Sequence, residues 1–148
     1  MALPELVQRM AAGKPLPDKV LTFTFDDAYE SIYTTVYPLF KKRGWPFTVF
    51  VSTDPVDKAY GLQSSWPQLR EMAANGATIA NHSASHQHLA VRLDNETEAA
   101  WRQRVSADIK RGQARIEAEI GSNHKLFAYP YGEYDHALQK IVKALGYT

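Results

Sequence analysis

The chain has no cysteine, almost no net charge and no long apolar run. Without cysteine, disulfide-stabilised folds and thiolate metal sites are excluded, while the cellular compartment stays open. A formal net charge of +1 indicates neither a basic nucleic-acid footprint nor an acidic tail. No stretch approaches the roughly 18 apolar residues that a membrane-spanning helix needs. We therefore expect no nucleic-acid partner and no transmembrane segment in this chain.

Size and composition are those of an ordinary globular domain. The 148 residues, 45% hydrophobic and 22% charged, are enough for one domain with a core. The first five residues lack the basic and apolar regions of a signal peptide. There is no internal repeat and no low-complexity linker, so we expect a single domain over residues 1–148.

Strand-like and helix-like segments alternate along the chain. We predict helices at residues 3–12, 31–43 and 66–74, a long helix capped by residues 94–97 and ending near 120, and a last helix at 134–145. Strands are predicted at residues 20–25, 46–51, 77–80 and 125–129, with a loop containing Pro55 and Gly61 between the second strand and the third helix. This alternation is typical of a parallel sheet with right-handed crossovers, in an open α/β sheet or an incomplete (β/α) barrel.

Polar residues follow the predicted strands at their carboxyl ends. The Asp26–Asp27 pair, Thr53, His82 and Tyr131 all occupy such positions. In parallel α/β folds, active sites are built on this face of the sheet. Four strands cannot close a barrel, so we expect either an open sheet or a chain that stops short of the domain end.

The Asp pair and two histidines four residues apart form a candidate metal site. His82 and His86, with one carboxylate from elsewhere, supply a three-ligand set that leaves a coordination position open for water. The other carboxylate then lies where a general base is needed. The combination of Asp26, Asp27, His82 and His86 predicts a metal-assisted hydrolase.

Each of these features also has a simpler structural interpretation. Adjacent Asp residues after a strand fit a turn or a helix N-cap. A His-x-x-x-His pair faces one way if it lies on a turn of helix, and His88 would then point elsewhere.

Asn81 and Ser83 are candidates for fixing the ring orientation of the ligands.

A third segment, from Tyr129 to Gly132, contains a Pro-Tyr-Gly turn. It fits a rigid turn with a packed aromatic ring. It also fits a functional element, in which the backbone N–H of Tyr131 donates to an oxyanion and the ring forms a wall of the substrate site.

Taken in order, the three segments resemble the motifs of the polysaccharide deacetylase family, also called the NodB-homology domain or carbohydrate esterase family four. The first is Thr-Phe-Asp-Asp at residues 24–27, and the second is His-Ser-Ala-Ser-His at residues 82–86. The third, usually Arg-x-Pro-Tyr-Gly, reads Ala-Tyr-Pro-Tyr-Gly at residues 128–132. The resemblance covers residues 20–148 and implies a distorted, incomplete (β/α) barrel that lacks its C-terminal part.

The resemblance implies a role for each motif residue. Asp26 would be the general base, and Asp27, His82 and His86 would bind a divalent metal, usually zinc and in some members cobalt or nickel. The backbone N–H of Tyr131 would help to hold the oxyanion.

The resemblance also implies a substrate class. Pro130, Tyr131 and Gly132 would contact a polysaccharide that carries N-acetyl groups, such as chitin, peptidoglycan or poly-N-acetylglucosamine. The reaction would be N-deacetylation, and the location would be the cell envelope or the exterior.

The chain departs from the family pattern in three ways. Ala28 stands where Gly usually follows the Asp pair, and Ala128 replaces the Arg that orients the base. The two later motifs, which supply an Asp and a general-acid His, are missing. These departures keep open a second interpretation, a carbohydrate-binding member with impaired catalysis. A third, a non-haem iron oxygenase, shares the two-His-one-carboxylate set but suits the alternating strands and helices poorly.

Overall fold

A computed structural model describes residues 1–59 and 61–148. Within them, strands β1 (Thr24–Phe25), β2 (Thr48–Val51) and β3 (Thr78–Asn81) form a parallel sheet in the order β1-β2-β3. Both faces of β2 are buried, as is usual for a parallel sheet covered by helices on both sides. The predicted parallel α/β architecture is confirmed.

Two predicted strands are shorter than the sequence indicates. Of the predicted first strand, residues 24 and 25 form β1 and pair with β2. The predicted fourth strand is reduced, in the part of the chain that the structure describes, to one parallel bridge between Asn81 and Phe127. Strand formation needs a partner at the sheet edge, and this requirement cannot be seen in β-propensity alone. The sheet is therefore a partial, unclosed barrel.

The helices lie close to their predicted positions. Their bounds are α1 (Leu3–Ala11), a π-helical turn (Ile32–Val36) that runs into α2 (Tyr37–Arg43), α3 (Thr53–Asp57), α4 (Trp66–Ala74), α5 (Glu98–Ile120) and α6 (His136–Ala144). The widened π turn ends two residues before Pro38, which has no N–H to donate. The short helix α3 falls where the sequence predicted a loop, because Pro55 lies in its first turn, where the missing N–H costs nothing.

Two large apolar clusters form most of the core, and α5 contributes to both. Ile116 belongs to the first cluster, with Val49, Val51 and Leu69. The second contains Trp101, Val105 and Ile109 of α5, packed with α6. Helix α5 thus joins the two halves of the core and passes behind β3, the strand that leads into His82. Within the described chain, no helix is both long enough and apolar enough to cross a bilayer.

Candidate metal centre

The Asp pair lies in a sharp turn at the carboxyl end of β1. Asp27 and Ala28 both have left-handed backbone angles, with φ values of 66° and 53°. This turn leaves Asp26 exposed, half-buries Asp27 and buries the methyl group of Ala28 completely. A second loop anchors the turn, since the N–H of Ser64 donates to the Ala28 carbonyl at 2.7 Å. The family motif usually has Gly where this chain has Ala28, and the φ value of 53° explains why. Gly adopts such an angle freely, whereas Ala adopts it only with strain.

The two histidines lie in a loop after β3, and not on the turn of helix that would by itself make a His-x-x-x-His pair face one way. Ser83 and His86 have φ values of 69° and 53°, so the chain turns back twice within five residues. The Ser83 hydroxyl accepts the His86 N–H at 2.9 Å and closes the turn. A local side-chain bond of this kind competes with helix formation. The His82 and His86 rings nevertheless come together, with centroids 5.0 Å apart.

The side chains of Asp27, His82 and His86 converge on one point. Asp27 Oδ1 lies 3.0 Å from His86 Nε2 and 3.6 Å from His82 Nε2, and all three ligand atoms lie within 4.8 Å of one another. Bonds of about 2.0–2.2 Å to a tetrahedral metal place ligand atoms roughly 3.4 Å apart. Two imidazole nitrogens and one carboxylate oxygen also suit zinc and related divalent ions. The residues present therefore fit a metal.

The His82 ring is oriented by a backbone group. His82, whose side chain is 3% exposed, has its Nδ1 atom 2.9 Å from the carbonyl oxygen of Ala128. A proton on Nδ1 leaves Nε2 unprotonated and directed at the site, as metal-ligating histidines require. The Ser52 hydroxyl donates to the His82 carbonyl at 2.7 Å and fixes the backbone.

Asn81 and Ser83 support the loop rather than the rings. The Asn81 Oδ1 atom accepts the Ser83 N–H at 2.8 Å, and its Nδ2 donates to Tyr147 Oη and to the Ile109 carbonyl. This buried amide ties β3, α5 and the C-terminal residues to the first turn of the histidine loop. The sequence suggested that these two residues orient the rings, but they fix the backbone that carries the rings.

Two α5 residues that hold the loop were missed in the sequence. Asp108 Oδ2 accepts the N–H groups of Ala84 and Ser85 at 3.1 and 3.4 Å. One turn further along, Gly112 packs so closely that a Cβ atom would lie 2.9 Å from the Ser83 carbonyl carbon. An Asp and a Gly within a polar helix belong to no recognisable sequence motif. Their role in holding the histidine loop is therefore visible only in the tertiary packing.

The third segment lies beside the ligands. Pro130–Gly132 forms a single 3₁₀ turn in which Tyr131 has a φ of 59°. The Tyr131 ring, 57% exposed, packs with its centroid 4.6 Å from that of His86 and 4.1 Å from that of His88. His88 thus stacks on the turn instead of joining the three ligands.

The position of the missing Arg is occupied by an apolar contact. The Ala128 side chain packs against Phe50, Ala80 and Leu126. Among residues 1–59 and 61–148, no Lys or Arg makes an ion pair with Asp26. The base-orienting cation of the motif therefore has no replacement in the described part of the chain.

Burial controls the charge of His86. Burial lowers the pKa of the imidazole below its ordinary value, although the charge of Asp27 acts in the opposite direction, and the adjacent His82 lowers this pKa further. A lowered pKa favours the neutral ring at pH 7. The neutral ring is the form that binds metal.

Comparison with known proteins identifies the family. The family model for polysaccharide deacetylase matches residues 13–148. The chain belongs to the polysaccharide deacetylase family. The resemblance carried by the three motifs is thereby confirmed, and the match extends over nearly the whole chain.

Individual relatives agree with this assignment. Poly-beta-1,6-N-acetyl-D-glucosamine N-deacetylase of Escherichia coli (strain K12) is 26% identical over 182 residues, covering 99% of this chain and 27% of that protein. IcaB from Ammonifex degensii superposes with a TM-score of 0.84 at 28% identity, covering 99% of this chain and 65% of that one. The BpsB deacetylase domain from Bordetella bronchiseptica gives a TM-score of 0.86 at 25% identity, covering 99% and 68%. The chain thus spans about a quarter of the curated E. coli relative.

Proposed function

We propose that this polysaccharide deacetylase domain is a metal-dependent N-deacetylase. The observation that carries the proposal is the convergence of Asp27, His82 and His86. Two of these residues, Asp27 and His86, have left-handed backbone angles, a strain that is common at functional sites. When bound by these three side chains, the ion would polarise the acetamide carbonyl and acidify the attacking water.

The remaining motif residues are assigned by position. Asp26 is exposed beside the ligands and takes the proton of the attacking water as general base. The backbone N–H of Tyr131 donates to the developing oxyanion, and the ring forms a wall for the sugar. Pro130 and Gly132 shape the turn that presents both groups.

The names of the relatives support one glycan. The E. coli relative is named for poly-β-1,6-N-acetyl-D-glucosamine, and we propose this polymer as the substrate, ahead of chitin and peptidoglycan. The discriminating observation is acetate release from β-1,6-linked against β-1,4-linked N-acetylglucosamine oligomers.

The first experiment measures metal content and acetate release together. We expect about one zinc, cobalt or nickel ion per chain by elemental analysis, and acetate release from the β-1,6 oligomer. The Asp27→Ala and His82→Ala variants are expected to lose both. His124→Ala is the matched control, because His124 lies before the Phe127 bridge, at the opposite end of the sheet. A chain without metal after reconstitution would contradict the proposal.

A second candidate is a carbohydrate-binding member with impaired catalysis. The Ala128 methyl group in place of Arg, with no cation paired to Asp26 in the described residues, is the observation that favours it. A chain that binds metal and oligomer but releases no acetate would select this candidate. The parallel sheet and the family assignment leave no support for the oxygenase interpretation.

A further inference from the structure

A side-chain bridge joins the histidine loop to the Tyr131 turn. His88 Nδ1 lies 2.8 Å from Glu133 Oε2, although the two residues are 45 positions apart. The His88 ring lies almost flat on the Tyr131 ring, with an angle of 12° between their planes. Neither His88 nor Glu133 has a part in the chemistry proposed above. The bridge therefore needs a separate explanation.

The turn itself does not determine where Tyr131 lies relative to the metal ligands. Its own hydrogen bonds, from Gly132 N–H to the Tyr129 carbonyl and from Glu133 N–H to the Pro130 carbonyl, only close it. Tyr131 also has a left-handed backbone angle, which a non-Gly residue keeps only where its surroundings enforce it. External attachments must therefore place the turn.

Besides the packing of the Tyr131 ring on His86 and His88, two polar contacts connect the turn to the histidine loop. At its base, the Ala128 carbonyl contacts His82 Nδ1 at 2.9 Å. At its rim, Glu133 contacts His88. Because these contacts lie on either side of Tyr131, a change in the rim contact would let the turn pivot about its base. The Tyr131 N–H and ring would then move relative to the ligands.

We propose that His88 and Glu133 are positioning residues that hold the Tyr131 turn against the metal-ligand loop. This role rests on the proposed deacetylation, in which the Tyr131 turn faces the acyl group of the substrate. It requires only an N–H on Nδ1, which both the neutral and the charged imidazole supply.

The exposure of the bridge separates positioning from stability. The side chains of His88 and Glu133 are 56% and 40% exposed, and exposed ion pairs contribute little to folding. Removing the bridge should therefore leave the melting temperature and the metal content unchanged. A small displacement of a group at a reacting centre can nevertheless cost about 100-fold in rate.

The experiment compares Glu133→Ala, Glu133→Gln and His88→Phe with the unaltered chain. Glu133→Ala removes the acceptor, Glu133→Gln keeps one acceptor oxygen, and His88→Phe keeps a flat ring without the N–H. We expect about a tenfold loss of kcat in Glu133→Ala and His88→Phe, a smaller change in KM, and partial rescue in Glu133→Gln. The double variant should be no worse than either single variant, since both remove one contact. Glu5→Ala, which breaks the remote exposed pair with Arg9, is the control.

Two readouts do not depend on turnover. Acetate, the reaction product, should bind the metal-loaded Glu133→Ala chain about tenfold more weakly in calorimetry. In NMR spectra of the metal-free chain, the Tyr131 ring protons should lose the shift that the stacked imidazole causes. An inactive chain that shows both changes would refute the deacetylase proposal and leave the positioning role intact. Unchanged acetate affinity and ring shifts, or a loss of metal in Glu133→Ala, would overturn the positioning role.

Discussion

At the scale of single residues, the two adjacent carboxylates lie in different environments. Asp27 faces the histidine rings, whereas Asp26 is exposed and stays outside the three-ligand cluster. The left-handed angles at Asp27 and Ala28 produce this division, because they bend the chain immediately after the strand. Two carboxylates in one motif can therefore have separate tasks.

This division predicts different outcomes for two isosteric substitutions. Asp26→Asn should keep the metal and lower kcat by about 10²–10⁴-fold, since only the proton acceptor is removed. Asp27→Asn should lose most of the metal, because a neutral amide is a poor ligand beside two imidazoles. Elemental analysis and acetate-release kinetics on the same preparations test both. Loss of metal in Asp26→Asn would show that the assignments are exchanged.

Residue types and spacing were enough to predict the three converging side chains, but not the residues that hold them in place. Asp27, His82 and His86 stand in recognisable patterns, so the sequence pointed to them. Asp108 and the His88–Glu133 bridge follow no pattern, because their partners lie 23 to 45 positions away. Helical spacing is not what brings His82 and His86 together, because the Ser83 hydroxyl stabilises a tight turn at this point of the chain.

At the scale of elements, α5 is both a core helix and the support of the histidine loop. Its apolar residues join the two core clusters, and Asp108 and Gly112 face the loop backbone. A polar helix of 23 residues would ordinarily be interpreted as a solvent-exposed helix that only covers the core. Here its position also determines where the histidines lie.

Gly112→Ala should therefore be destabilising, opposite to the usual effect of this change in a helix. An exposed helical Gly gains about 1 kcal/mol on replacement by Ala. At position 112 the new methyl group would meet the Ser83 backbone, and such overpacking costs about 1–3 kcal/mol. The free energy of unfolding, measured with urea, and the affinity for zinc should both fall.

The control for this prediction lies on the same helix. Ala114 is exposed, so Ala114→Gly should cost about 1 kcal/mol through helix propensity and leave zinc affinity unchanged. A stabilised Gly112→Ala chain with normal zinc binding would contradict the close packing of α5 against the loop.

At the scale of the whole molecule, the site exists only when the sheet is assembled. Its three side chains come from two segments more than fifty residues apart, and the loops that contain them follow β1 and β3. An unfolded chain offers no such cluster, so binding of the proposed metal would be linked to folding. The ion should therefore stabilise the whole domain.

Zinc at 100 times its dissociation constant should raise the free energy of unfolding by about 2.7 kcal/mol. Calorimetry should show a single transition that moves to higher temperature with zinc and returns with a chelator. In Asp27→Ala the transition should not respond to zinc. An equal response in that variant would place the bound ion outside the three-ligand cluster.

The sequence by itself determined the alternation of strands and helices, the family and the candidate ligands, because these depend on residue types at short spacing. The ends of α4 and α5 were likewise visible in local capping residues. Tertiary structure alone decided the length of β1, the single bridge at Phe127 and the loop conformation of the histidines. The strand lengths depend on neighbouring strands, and the placement of the histidine loop depends on Asp108 and Gly112 of α5 in addition to its local Ser83 turn. Local propensity contains no information about such partners.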